Sequence, residues 1–76
     1  MSFKDQHALK TLPGDIEQLH LRIAAHHEIL ADTKLFSRDL KRFQAVTAAL
    51  NADTAALAAA EERWLALEML REEIEG

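Results

Sequence analysis

The chain has 76 residues, a formal net charge of −4 and no cysteine. This length supports one domain with a thin core, and the lack of cysteine excludes a disulfide framework, a thiolate metal site and a cysteine nucleophile. No apolar run of about 18 residues and no signal-peptide pattern is present, so we expect a cytoplasmic protein outside the membrane. Two glycines and one proline, among many Ala, Leu and Glu residues, predict an all-α fold.

The chain opens with two predicted helical segments. Ser2 can cap a helix, and Asp5 follows at the spacing of a capping box, which predicts a short helix over residues 3–11. Pro13 lacks a backbone donor and biases Leu12 away from helical angles, so we predict a second helix over residues 13–31. The two segments are expected to be collinear, with a kink at Pro13.

Residues 32–38 interrupt the apolar pattern and are predicted to form a hinge containing at most one turn of helix. Asp32, Ser37 and Asp39 are candidate N-cap residues around this hinge. Residues 39–75 contain neither Pro nor Gly and predict one long helix of about 54 Å. A helix of that length indicates a rod rather than a compact domain.

Apolar residues recur with the period of a coiled coil in both arms. In the long helix Phe43, Leu50, Leu57 and Trp64 are seven residues apart, and between Leu9 and Leu30 the spacing alternates between three and four. Sustained spacing by sevens is typical of a left-handed coiled coil. The sequence therefore predicts a single domain, residues 1–76, folded as an antiparallel two-stranded coiled-coil hairpin.

The hinge position predicts which residues face each other, because facing residue numbers should then add to roughly 71 to 73. Under this register the end of the long helix beyond about residue 70 has no partner within the chain. A carboxylate in the seam, Asp53, is expected to lean outward or to reach His20, since burying it unpaired would be unfavourable. The predicted facing pairs are Ile23 with Leu50, Ile16 with Leu57, and Leu9 with Trp64.

Residues that could carry catalysis or bind a metal are sparse. His20 and His27 lie on one helical face without a third ligand, and no glycine-rich phosphate loop is present. Trp64 could stack on a base, but its seven-residue spacing favours a plug in the seam. We therefore predict a non-catalytic domain with no metal and no cofactor of its own.

The most informative feature is a basic cluster in an acidic chain, with four of the nine Lys and Arg residues between positions 34 and 42. The start of the long helix lies within it, and a helix N-terminus attracts phosphate. Asp32 and Asp39 are close enough in sequence to neutralise these cations, in which case the segment is an ordinary solvated turn. The residues alone leave both interpretations open. The cluster consists of Lys34, Arg38, Lys41 and Arg42.

Three stretches in order, SFKDQHALKTLPGDIEQL, LADTKLFSRD and AAAEERWLALE, resemble the C-terminal domain of Uup-type ABC-F ATPases. The resemblance covers nearly the whole chain. It departs from the family pattern at His7, His20 and Thr33, where Arg, Glu and Pro are usual. It implies a coiled-coil hairpin at the end of a protein with two ATP-binding cassettes. ATP and Mg would then belong to those cassettes and not to this domain.

The resemblance also implies nucleic-acid binding, with DNA as the expected partner and ribosomal RNA or the ribosome as a competing one. The contacts would be to the backbone and independent of base sequence. The alternative is a protein-interaction or spacer module that docks on the parent cassettes, on the ribosome or on a second copy. We expect neither a membrane nor a small-molecule substrate as partner. The expected contact residues are Lys34, Arg38, Lys41 and Arg42, with Lys4 and Lys10 as a second, weaker set.

Overall fold

The computed structural model describes residues 2–75, which form three helices. Helix α1 spans Phe3–Leu30, α2 spans Leu35–Arg38, and α3 spans Leu40–Glu75. Helices α1 and α3 pack against each other as the two arms of a hairpin, and α2 lies in the connection and packs on α3. The molecule is a rod of 55 × 15 × 14 Å. The predicted all-α helical hairpin is confirmed, whereas supercoiling of its arms stays a prediction.

Helices α1 and α3 begin directly after N-cap residues that the sequence predicts. The Ser2 side chain accepts a hydrogen bond from the Asp5 backbone N–H at 3.2 Å, which satisfies one of the free donors at the start of α1. Asp39 caps α3 in the same way, because its Oδ1 accepts from the Arg42 N–H at 3.1 Å. The single helical turn in the hinge lies at Leu35–Arg38.

Pro13 lies inside α1, so the two segments predicted on either side of it form one continuous helix. Proline removes one backbone hydrogen bond, which here would have joined residue 13 to the Leu9 carbonyl. The residue is exposed, whereas its neighbour Leu12 is among the most buried residues of the chain. The packing of α1 against α3 therefore holds the helix together across the missing bond.

The predicted apolar seam forms the interface between the arms. Leu12 is buried, and the other predicted seam residues from Leu9 to Trp64 are at least partly buried. Further along α3, Leu67 continues this pattern and is buried, whereas Ile74, seven residues later, is 56% exposed. No apolar side chain in the described range is fully sequestered, so the core is as thin as the chain length predicts.

The facing residues differ from the predicted register by about one turn of helix. Asp53 contacts Arg22 and His26 rather than His20. Trp64 lines a groove with Pro13 and Ile16 rather than lying beside Leu9. The difference arises in the hinge, because α2 folds back onto the start of α3 and so lengthens the connection between the arms.

The same shift gives the end of α3 a partner. Arg71, Ile74 and Glu75 line a second groove together with Gln6 and Leu9, near the start of α1. The end of α3 therefore has a neighbour within the chain, contrary to the prediction, but this neighbour leaves Leu70 and Ile74 37% and 56% exposed.

Asp53 forms the polar centre of the seam. It is 5% exposed, and its two carboxylate oxygens contact Arg22 Nη2 at 2.7 Å and His26 Nε2 at 2.9 Å. Arg22 and His26 are four residues apart, so both reach the seam from the same face of α1. A buried carboxylate with two such partners is stabilised, whereas without them it would be strongly unfavourable.

Replacing Asp53 with Ala should lower the free energy of unfolding by about 1–3 kcal/mol, because the partly buried His26 ring loses its partner. Urea denaturation followed by circular dichroism measures the change. Asp15→Ala, at an exposed aspartate of α1, is the matched control and should change stability by less than about 0.5 kcal/mol. Equal effects of the two substitutions would contradict the role assigned to Asp53.

Gly14 offers a test of the continuous helix. It lies inside α1 without a positive φ, and a Cβ added there would meet no atom within 4 Å. Gly14→Ala should therefore raise the free energy of unfolding by about 0.5–1 kcal/mol, because alanine loses less backbone entropy in a helix. A decrease in the urea midpoint would mean that the chain is not helical at residue 14.

Candidate nucleic-acid interface

The four cations of the basic cluster lie together at one end of the rod, which we call the tip and define as residues 32–42. Lys34 is the N-cap residue of α2, and Arg38 is the last residue of that helix. Lys41 and Arg42 lie in the first turn of α3. All four residues are exposed.

The two aspartates of the tip are engaged with backbone groups. Asp32 Oδ1 accepts from the Lys34 N–H at 3.0 Å, which closes a local turn, and Asp39 Oδ1 caps α3 through the Arg42 N–H. Their carboxylates therefore stabilise the chain path instead of pairing with the basic side chains. Asp39 satisfies one of the free N–H groups at the start of α3, so the remaining N–H groups of that turn and the basic side chains are both left for an anion.

None of the four tip cations takes part in an ion pair within residues 2–75. The ion pairs in that range join Arg22 and His26 to Asp53, and Arg71 to Glu68. The tip thus presents four exposed positive charges. Their nearest acidic neighbours in sequence, Asp32 and Asp39, accept hydrogen bonds from backbone N–H groups instead.

Apolar contacts give the tip a defined shape. Leu35 is 7% exposed and anchors α2, while the Phe36 and Phe43 rings pack edge to face with centroids 5.1 Å apart. This geometry is favourable for aromatic pairs. Phe36 nevertheless remains 59% exposed, so the tip displays an aromatic ring beside its cations.

The second predicted set of contacts, Lys4 and Lys10, lies at the opposite end of the rod. Both residues occur in the first part of α1, about 30–40 Å along the helix from the tip. The structure therefore does not bring the two sets into one surface. A ligand would have to span most of the rod to touch both.

Charge is distributed unevenly along the rod. The tip carries four cations and two aspartates, whereas residues 61–75 carry six glutamates and two arginines. The end of α3 is thus strongly acidic, and about 30 Å of helix separates it from the tip. A chain of net charge −4 consequently has one locally basic end.

The structure also shows an apolar groove that the sequence reasoning did not identify. It has a volume of about 600 Å³ and lies between the two arms on the acidic half of the rod. Its Trp64 is partly buried, in agreement with a place in the seam, and Leu65 beside it is 55% exposed. The signal in the sequence was Leu65, which is apolar but lies outside the heptad pattern. The groove is lined by Pro13, Ile16, Glu61, Glu62, Trp64 and Leu65.

Residues 2–75 form neither a metal site nor a membrane-spanning helix. No three His, Asp or Glu side chains in that range come together in a way that could hold a metal ion. None of the helices there combines the length and the apolar character that crossing a membrane requires.

Comparison with known proteins identifies the family. No curated protein and no solved structure shows significant similarity to the chain. A family model described as the ABC transporter C-terminal domain matches residues 1–69. This match includes all of α1, the tip and most of α3. The chain therefore belongs to the ABC transporter C-terminal domain family.

Proposed function

We propose that this domain binds the backbone of nucleic acid through its tip, without reading base sequence, and that DNA is the partner. The observation that carries the proposal is the set of four exposed tip cations that form no ion pair within residues 2–75. Phosphate contacts by such side chains supply the affinity of non-specific complexes. We further propose that the parent protein is of the Uup type, as the sequence motifs imply.

The negative net charge of the chain does not oppose this function. At physiological ionic strength the Debye length is about 8 Å. The acidic end of α3 is separated from the tip by several such lengths in a rod 55 Å long. Salt therefore screens a phosphate at the tip from the glutamates. The charge of the tip itself then governs how the domain and the nucleic acid associate.

The dimensions of the tip favour contact with phosphates at the edges of a groove. The rod is 15 × 14 Å in cross-section, slightly wider than the major groove of B-DNA at about 12 Å. Phe36 adds an exposed ring that can stack on an unpaired base. Branched DNA with unpaired bases should therefore bind more tightly than plain duplex.

The alternative function is a docking or spacer module that contacts the parent cassettes or the ribosome. In both functions ATP and Mg are assigned to the cassettes of the parent protein. The alternatives differ in what the tip touches, so direct binding measurements separate them. Binding of labelled duplex DNA, branched DNA and a ribosomal RNA hairpin, each followed by fluorescence anisotropy at two salt concentrations, is the first experiment. Absence of binding to all three at low salt would leave the docking module as the better account.

Replacing all four tip cations with Gln should abolish salt-sensitive binding. If each cation neutralises one phosphate of duplex DNA, the slope of log K against log salt for the native domain is about −3 to −4, and the variant should have a slope near zero. Its circular dichroism should be unchanged, because these side chains support no contact within the fold.

A charge-matched control removes the same number of positive charges from residues outside the tip. Replacing four cations outside the tip with Gln gives the same net charge but should retain most of the affinity and the salt slope. Arg22 is left intact in this control because it pairs with the buried Asp53. Arg71, in contrast, pairs with Glu68 at the surface, where an ion pair adds little stability. Equal loss of binding in both variants would show that total charge matters and would overturn the assignment to the tip. The control positions are Lys4, Lys10, Arg63 and Arg71.

A further inference from the structure

The two ends of the rod have complementary surfaces. The apolar groove has Glu61 and Glu62 on its rim, and neither glutamate forms an ion pair within residues 2–75. The tip displays the exposed ring of Phe36 among four cations. An apolar groove with an acidic rim fits an aromatic group flanked by positive charge, and the chain itself carries that group.

The tip and the groove of one molecule cannot meet. From Leu40 to Trp64 the rigid helix α3 extends about 36 Å, so the tip of any molecule lies far from its own groove. Contact therefore requires a second copy. Pairing groove with groove is disfavoured, because it would bring the glutamates of the two rims together.

Two rods lying side by side in opposite directions can make this contact twice. A two-fold axis then places each tip at the groove of the other copy, with about 36 Å of overlap along α3. Both contacts form at once, and the basic end of each rod lies beside the acidic end of its partner. We propose that this domain forms such an antiparallel dimer, in which Phe36 of each copy occupies the Trp64 groove of the other.

Charge exchange between the two surfaces tests the dimer. One variant reverses the tip with Lys34→Glu and Arg38→Glu, and the other reverses the groove with Glu61→Lys and Glu62→Lys. Each variant alone sets like charges against each other and should associate at least about tenfold more weakly than the native domain. An equimolar mixture opposes unlike charges at both contacts and should restore the dimer.

Sedimentation equilibrium gives the mass, and Trp64 reports the contact, since it is the one tryptophan in the chain. Its emission should shift to shorter wavelength as the native domain dimerises and as the two variants are mixed, because the ring leaves water. Circular dichroism and the urea midpoint of each variant verify that it remains folded, which is expected because all four substituted residues are exposed.

Four results would overturn the proposal. Two concern the native domain, which would stay monomeric at all accessible concentrations or would form assemblies larger than a dimer. The other two concern the variants, whose mixture would fail to associate although both are folded, or either of which would associate alone with native strength.

The test is independent of nucleic-acid binding. The groove-reversed variant retains all four tip cations, so under the proposed function it should bind DNA at least as well as the native domain while failing to dimerise alone. Loss of dimerisation with retained DNA binding isolates the groove. Dimerisation without DNA binding would support this inference and contradict the proposed function.

Discussion

The ion cluster of Arg22, His26 and Asp53 determines how the two arms of the hairpin align. The apolar seam repeats every seven residues, so sliding one arm by a heptad would leave most apolar contacts in place. The carboxylate distinguishes these registers. After such a slip Asp53 would face Asp15 and Leu19, or Ile29 and Thr33, and would lose both Arg22 and His26 as partners. A buried carboxylate without partners is strongly unfavourable, so the observed alignment is favoured over its neighbours by this one polar contact.

The positions of the tip and of the apolar groove both follow from that alignment. It places α2 over the start of α3, so that the tip is a packed turn around Leu35 rather than a loose loop. It also brings Pro13 and Ile16 beside Trp64, which opens the apolar groove on the acidic half of the rod. The tip and the groove are therefore held at a fixed separation by one continuous helix. A change in register would alter both surfaces together.

Much of this architecture could be predicted from the sequence, because it depends on local patterns. The heptad spacing predicted the seam residues, and Ser2 and Asp39 predicted helix starts, since period and capping act within a few residues. The register could not be predicted in this way. It depends on how many residues the hinge consumes, and that number is set by contacts between distant residues, namely the pairing of Asp53 with Arg22 and His26 together with the packing of α2 on α3. The pairing of Asp53 with Arg22 was missed for the same reason, although the spacing of Arg22 and His26 on one face of α1 was a readable signal.

The tip shows most directly what the folded structure adds to the sequence. The same four cations and two aspartates fit a neutralised turn or an anion-binding surface, and composition does not separate them. Hydrogen bonding supports the anion-binding surface, because Asp32 and Asp39 each accept from a backbone N–H group and neither forms an ion pair with a tip cation within residues 2–75. Under our two proposals these cations serve two anionic surfaces, the phosphates of DNA and the glutamate rim of a second copy. DNA carries one charge per about 1.7 Å of its axis, a denser array than two glutamates on a rim. Binding to DNA should therefore displace the second copy, so that the domain is monomeric on DNA and dimeric away from it.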